Sequence, residues 1–121
     1  MMMKEKISLH SPICSKNMLA LQDTLHIVNG KWKLAIIFSL NESTKRFKEL
    51  QRDIGKITGK MLSQELKDLE MNELVKRTVL DTKPVTVEYE LTSYGNSLEQ
   101  VIDQLVNWGI KHRKRIVKKE G

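Results

Sequence analysis

The chain has 121 residues, of which 40% are hydrophobic and 30% are charged, and its formal net charge is +6 at pH 7. This length supports one hydrophobic core and therefore one domain, and the composition is that of an ordinary globular protein. No apolar stretch approaches the roughly 20 residues that cross a bilayer, and the N-terminus lacks the apolar region of a signal peptide. We therefore expect a cytoplasmic protein that does not enter a membrane.

Most of the positive charge lies at the C-terminal end. Residues 111–121 contain six basic residues and one acidic residue, whereas the other 110 residues contain 15 basic and 14 acidic residues. Cations at the end of a helix are stabilised by the negative end of the helix dipole, but a basic segment also attracts nucleic acid. The charge count alone does not decide between these two interpretations.

Two helices are predicted in the first third of the chain. Residues 1–13 are expected to form a flexible arm. Apolar residues then recur at helical spacing from Ser15 to Asn29, and Gly30 is expected to end this helix. Residues 33–40 are apolar on nearly every side, so this second helix is expected to lie in the middle of the domain, with a loop after it at residues 41–43.

A helix-turn-helix is predicted next. Thr44 is expected to cap a helix over residues 45–54, which Gly55 ends. Thr58 is expected to cap a second helix over 58–71. Its inward stripe consists of Leu62, Leu66 and Leu69. Its outward face, which we call the reading face, carries the small and polar groups that recognition of base edges requires. The reading face consists of Thr58, Gly59, Lys60, Ser63, Gln64 and Lys67.

A β-hairpin follows the second of these helices. Alternating apolar and polar residues predict two strands within residues 75–91, which we call the wing, and Asp81 to Pro84 form the turn between them. Lys83 at this turn is expected to reach a phosphate or the minor groove. Arg77 is a second candidate for DNA contact, although Lys76 and Arg77 could instead pair with glutamates across the hairpin.

One long helix is predicted from Thr92 or Ser93 to the basic end of the chain. Its apolar face is larger than the core of one subunit requires, so we expect it to pair with a second copy of the chain, together with the first helix. The predicted dimer interface consists of Leu19, Leu98, Val101, Ile102, Leu105 and Trp108.

A helix-turn-helix followed by a two-stranded ribbon is the outline of a winged helix. The chain resembles the HxlR-type family of winged-helix transcriptional regulators, within the MarR-like superfamily, from Cys14 to about His112. The resemblance depends on the joint order of short motifs, which include Gly30-Lys31-Trp32, Arg46-Phe47, Glu49-Leu50, Leu69-Glu70, Leu74-Val75, Val87-Glu88-Tyr89, Leu91-Thr92 and Trp108-Gly109.

The resemblance implies a mainly α fold with a small β-hairpin (α+β), in which N- and C-terminal dimerisation helices are added to a winged helix-turn-helix. Residues 14–112 would form this DNA-binding and dimerisation domain, and residues 113–121 the basic end of its last helix. It also implies a homodimer that binds a palindromic operator in double-stranded DNA. In such a dimer the helix over 58–71 enters the major groove and the wing lies on the backbone or minor groove. We expect a repressor.

Cys14 is a candidate redox sensor, because some relatives in the resembling family sense oxidants or electrophiles through the matching cysteine. A helix N-terminus and the nearby Lys16 would lower the pKa of such a thiol, whereas the alternative role is a small, partly buried apolar residue. Some of those relatives use a second cysteine, but this chain has one. A disulfide would therefore join Cys14 to its own copy or to a small thiol.

Lys45 and Arg46 are predicted to lie in the first helical turn after Thr44, where free backbone N–H groups favour an anion, so we expect phosphate contacts there. A structural salt bridge is the alternative for Arg46.

No nucleophile–base pair, glycine-rich phosphate loop or carboxylate dyad is evident in the sequence, and the three histidines lack the spacing of metal ligands. We therefore expect no enzyme, catalytic residue, cofactor or metal site. A small-molecule or oxidant effector is compatible with the sequence. The alternative function is a winged-helix module that binds other proteins and not DNA.

Overall fold

The computed structural model describes residues 12–120, and the side chains of residues 15–118. Six helices and three strands lie within this range. In chain order they are α1 Pro12–Val28, α2 Lys33–Glu42, β1 Lys45–Arg46, α3 Phe47–Ile54, α4 Gly59–Met71, β2 Val75–Leu80, β3 Thr86–Leu91, α5 Ser93–Asn96 and α6 Leu98–Glu120. The predicted arm lies outside the described residues except for its last two, which belong to α1.

The core surrounds α2, which packs against α1, α3, α4 and β3. Its central position confirms the prediction made from its apolar composition, although Phe38 remains 51% exposed. The helix also includes Asn41 and Glu42, which had been predicted to lie in a loop. The buried apolar residues are Ile27, Ile36, Ile37, Leu40, Leu50, Ile57, Leu62, Leu66, Leu69, Leu74, Val75, Tyr89 and Ile102.

The predicted wing is confirmed, but the sheet contains one more strand than expected. Strands β2 and β3 pair antiparallel, and β1 pairs with the other edge of β3, with Lys45 opposite Tyr89 and Arg46 opposite Glu88. The predicted cap at Thr44 is therefore wrong. Sheet pairing extends residues 45 and 46, so α3 begins after Arg46, whose backbone N–H donates to Glu49 Oε1 at 2.8 Å.

The turn of the helix-turn-helix is as predicted. Gly55 ends α3 with a φ of +97°, a backbone conformation that glycine adopts without strain. Thr58 Oγ1 then accepts a hydrogen bond from the N–H of Met61 at 3.1 Å, which makes Thr58 the cap of α4. Ile57 before the cap and Leu62 in the first turn are both buried, as a hydrophobic staple requires.

The last helical segment is divided, whereas one continuous helix had been predicted. Thr92 caps the short helix α5, because its Oγ1 accepts from the N–H of Gly95 at 2.8 Å and donates to the carbonyl of Glu73 at 2.7 Å. Ser97 separates α5 from α6. The hydrogen bond to Glu73 ties α5 to the turn before the wing, so the chain must change direction before α6 begins. Among residues 12–120, no helix is both long and apolar enough to cross a membrane.

Candidate nucleic-acid interface

Three leucines set the rotation of α4 in the domain. Leu62, Leu66 and Leu69 are all at most 2% exposed and lie on one stripe of the helix. Residues three and four positions apart share a helix face, so burial of this stripe turns the opposite face outward. The sequence predicted this orientation, and the structure confirms it.

The reading face is exposed and largely uncommitted. Lys60, Ser63, Gln64 and Lys67 are exposed, and within the described part of the chain no hydrogen bond or ion pair engages their side chains. Thr58 is also exposed, and its hydroxyl oxygen serves as the cap acceptor. The face therefore offers amide, hydroxyl and ammonium groups whose hydrogen-bonding capacity is available to a ligand.

The inward side of α4 carries an ionic network. Lys33 Nζ lies 2.6 Å from Glu65 Oε1 and 3.1 Å from Asp68 Oδ2, and His26 Nε2 lies 3.0 Å from the same Asp68 oxygen. The network joins α4 to α2 and α1. Sequence reasoning missed it because its members come from three separate helices.

Hydrogen bonding dominates the pKa values within this network. Burial lowers the pKa of Lys33, but the hydrogen bonds to Glu65 and Asp68 together outweigh that effect and raise the pKa above its ordinary value. Burial raises the pKa of Asp68, but hydrogen bonds from Lys33 and His26 outweigh it, so this pKa is lowered. Lys33 and Asp68 are therefore charged at neutral pH.

Lys45 does not lie where its predicted phosphate contact requires. It belongs to β1 and not to a helical turn, and its side chain is only 12% exposed. Its ammonium group lies 2.5 Å from Asp53 Oδ2, and 3.0 Å from both Glu42 Oε1 and Ser39 Oγ. The argument from a helix N-terminus is therefore wrong for Lys45, whose charge is used inside the domain.

Arg46 and the cations of the wing remain exposed. Within residues 15–118, no ion pair involves Arg46, Lys76, Arg77 or Lys83, so the alternative salt bridges are not formed. Lys76 lies opposite Glu90 in the ladder without such a contact. Lys83 occupies a turn in which Thr82 Oγ1 donates to the carbonyl of Pro84 at 2.7 Å and contacts Thr86 Oγ1 at 3.1 Å.

The predicted dimer surface is apolar and exposed, with two exceptions. Leu105 and Trp108 are 48% and 67% exposed, and Leu19 and Val101 are exposed as well. Ile102 is 5% exposed and belongs to the core of its own chain, so its assignment to the interface is wrong. Leu98 is partly buried against that core. Sequence reasoning left out further exposed apolar residues, namely Leu21, Leu25, Val106, Ile110, Ile116 and Val117.

Cys14 lies in the first turn of α1, but its side chain lies outside the described residues. Its sensor role stays a prediction. In the described range, no cluster of three or more potential metal ligands occurs. His26 contacts Asp68, and the ring of His112 stacks on Trp108 with centroids 4.8 Å apart.

Helix α3, the turn at Gly55, helix α4 and the following wing together define a winged helix-turn-helix protein. Residues 27–117 match the model of the HxlR-like helix-turn-helix family. The chain belongs to this family and is a transcriptional regulator of the helix-turn-helix type, as the sequence motifs predicted.

Individual relatives support the same assignment. The chain is 42% identical over 98 residues to the HTH-type transcriptional regulator YtcD of Bacillus subtilis, across 81% of this chain and 78% of the relative. It resembles the reduced form of the redox regulator HypR with a TM-score of 0.73 and 35% identity, over 80% of this chain and 96% of HypR. A MarR-family regulator from Enterococcus faecalis V583 gives a TM-score of 0.78 and 29% identity, over 93% and 99% of the two chains.

Proposed function

We propose that this regulator is a homodimeric repressor that binds a palindromic duplex operator. Helix α4 of each subunit enters a major groove, and the wing lies along the backbone or in the minor groove. The observation that carries the proposal is the reading face, because its polar side chains are exposed and uncommitted at the position where a winged helix meets DNA.

Specific recognition is assigned to the reading face, with Gln64 as its main discriminator. The amide of Gln64 is able to form two hydrogen bonds with adenine, and a bidentate pair of this kind is worth about 1–3 kcal/mol against the wrong base. Arg46, Arg77 and Lys83 contact phosphates and position the subunit. Lys45 is left out of this contact set because its ammonium group already binds two carboxylates.

The dimer is formed through α1 and α6. Helix α6 has 23 residues and is therefore about 35 Å long. It exposes Leu105, Trp108 and Ile110 along its length. Exposed apolar surface of this extent is typical of a subunit interface. A two-fold dimer then places its two α4 helices at half-sites separated by one helical turn, about 34 Å, or a multiple of it.

Sequencing of genomic DNA fragments retained by the purified protein tests this proposal. We expect the fragments to share an inverted repeat, and the affinity for that repeat to fall steeply as the salt concentration rises, because each phosphate contact releases counterions. Equal affinity for random duplex, or an affinity that does not depend on salt, would favour the alternative protein-interaction module.

Cys14 is the proposed point at which an oxidant alters DNA binding. Two Cys14 thiols from two subunits, treated with the thiol oxidant diamide, lose two electrons and two protons to it and form one intersubunit disulfide. We expect diamide to change operator affinity in the wild type and to produce a covalent dimer on a non-reducing gel. Cys14→Ser should abolish both effects, and an unchanged response in this variant would exclude the sensor role.

A further inference from the structure

The helix that we assign to the major groove carries a net negative charge. Helix α4 contains two basic residues, Lys60 and Lys67, against three acidic residues, Glu65, Asp68 and Glu70. DNA presents a dense array of phosphates to any helix in its groove. The carboxylates of α4 therefore oppose the approach that the reading face requires, unless another part of the molecule compensates for them.

Lys33 supplies the compensating charge. Its ammonium group is the common partner of Glu65 and Asp68, and its side chain is only 13% exposed. Lys33 is the first residue of α2, where the positive end of the helix dipole disfavours a cation. The position of this charge is therefore not explained by the stability of α2, whereas its contacts with α4 account for it.

We propose that Lys33 is a charge-masking residue that raises DNA affinity without touching DNA, by neutralising the carboxylates of Glu65 and Asp68 on the helix that enters the groove. This inference rests on the proposed DNA-binding function. It deepens that function by identifying a determinant of affinity outside the contact surface.

Electrostatics make such an effect measurable. An α-helix with its side chains is about 10–12 Å across, so carboxylates on the inward side of α4 lie about one helix diameter from the groove. The Debye length at 0.1 M ionic strength is also about 10 Å, so a charge at that distance is only partly screened. Each operator site holds two copies of the network, which doubles the effect.

The test compares operator affinity among charge variants at low and moderate salt. Lys33→Met leaves two carboxylates unmasked and should weaken binding roughly tenfold at about 0.05 M salt, with a smaller difference at about 0.3 M. The triple variant Lys33→Met/Glu65→Gln/Asp68→Asn removes the masked charges as well and should return to near wild-type affinity. Glu65→Gln/Asp68→Asn alone leaves Lys33 unopposed and should bind more tightly than the wild type.

Lys31→Met is the matched control. It removes the same charge from a neighbouring exposed residue, whose ammonium group lies over the ring of Trp32 at 4.9 Å, and it should change affinity less than twofold. Circular dichroism and the melting temperature report whether each variant is folded. If Lys33→Met does not fold, the Glu65→Gln/Asp68→Asn variant still decides the question.

The outcomes separate the two proposals. A wild type that binds no operator overturns the proposed function and this inference together. If the wild type binds but the triple variant stays as weak as Lys33→Met, Lys33 acts by holding α4 in position and charge masking is wrong. Charge masking is also wrong if Glu65→Gln/Asp68→Asn binds no more tightly than the wild type.

Discussion

The backbone carbonyl of Leu74 lies directly against Gly95. A Cβ built on Gly95 would overlap the oxygen of this carbonyl, which also accepts a hydrogen bond from the N–H of Thr92 at 3.0 Å. The start of the wing and the helix that follows it are thus packed backbone against backbone. This contact joins the base of the wing to α5 and leaves no space for a side chain at position 95.

Replacement of Gly95 by alanine should therefore destabilise the domain. The Cβ can be accommodated only if the backbone of Leu74 or α5 moves, and overpacking of this kind costs about 1–3 kcal/mol. Urea unfolding followed by circular dichroism measures the change. Gly59→Ala is the control, because its Cβ would meet only Gln51 Nε2 at 3.9 Å. It should be neutral or stabilising by up to about 1 kcal/mol. Equal effects of the two variants would show that the contact with Leu74 is not tight.

The pairing of Asp53 with Lys45 predicts an acid-dependent loss of stability. The hydrogen bond from Lys45, followed by that from Ser39, lowers the pKa of Asp53 below its ordinary value of 3.8. A group whose pKa is lower in the folded state stabilises the protein above its unfolded pKa, and the stabilisation is lost as the pH falls through the folded pKa. The stabilisation by Asp53 should thus be constant near neutral pH and disappear at acidic pH.

Urea unfolding of the wild type and Asp53→Asn at a series of pH values checks this expectation. The difference in unfolding free energy between the two proteins should hold from about pH 7 to pH 5 and shrink as the pH falls below about 4. Asp81→Asn is a control in the wing turn, since Asp81 is exposed and forms no ion pair among the described residues. A difference for Asp53→Asn that persisted unchanged at about pH 2 would contradict the assigned pairing.

A charge on the apolar face of α6 should dissociate the dimer. Leu105 is 48% exposed in the single chain, and a dimer would bury it. Leu105→Asp places a charge there, and an unpaired charge in such an interface is strongly unfavourable. Sedimentation should give twice the chain mass of 14.0 kDa for the wild type and the chain mass itself for the variant. Val85→Asp, on the exposed wing, should stay dimeric. A monomeric wild type would contradict the dimer outright.

Substitutions on the reading face and on the wing should affect DNA binding in different ways. Gln64→Ala should relax base preference at one position of each half-site, because the amide reads a base edge. Lys83→Ala should weaken binding to all duplexes alike and reduce the salt dependence by about one unit of slope per contact. Competition binding with operators that carry single base changes measures both effects. The assigned roles are wrong if the two variants give the same pattern.

Several structural features follow from residues that are close in the sequence. The cap at Thr58, the stripe of Leu62, Leu66 and Leu69, and the hairpin around Asp81 all depend on spacings of a few residues. Helical and strand periodicity act over the same short range, so the helix-turn-helix, the wing and the outward reading face were predictable. The features that the sequence did not predict depend on distant partners.

Strand β1 illustrates this limit. Thr44 has the properties of a helix cap, but Lys45 pairs with Tyr89, far along the chain, and this pairing extends the backbone. Ile102 likewise shares the helical spacing of the α6 surface residues but packs into the core of its own chain. In both cases tertiary contacts overrode a correct local pattern.

The amino-acid sequence alone therefore determined the order of the elements and which face of α4 points outward, because caps, turns and apolar periodicity are local. Only the tertiary structure decided which cations are available to bind DNA. Lys60 and Lys67 are exposed and unpaired within the described residues, whereas Lys33 and Lys45 are each bound to two carboxylates. A lysine has the same charge in every sequence context, but its use depends on which carboxylates the fold brings within about 4 Å of it.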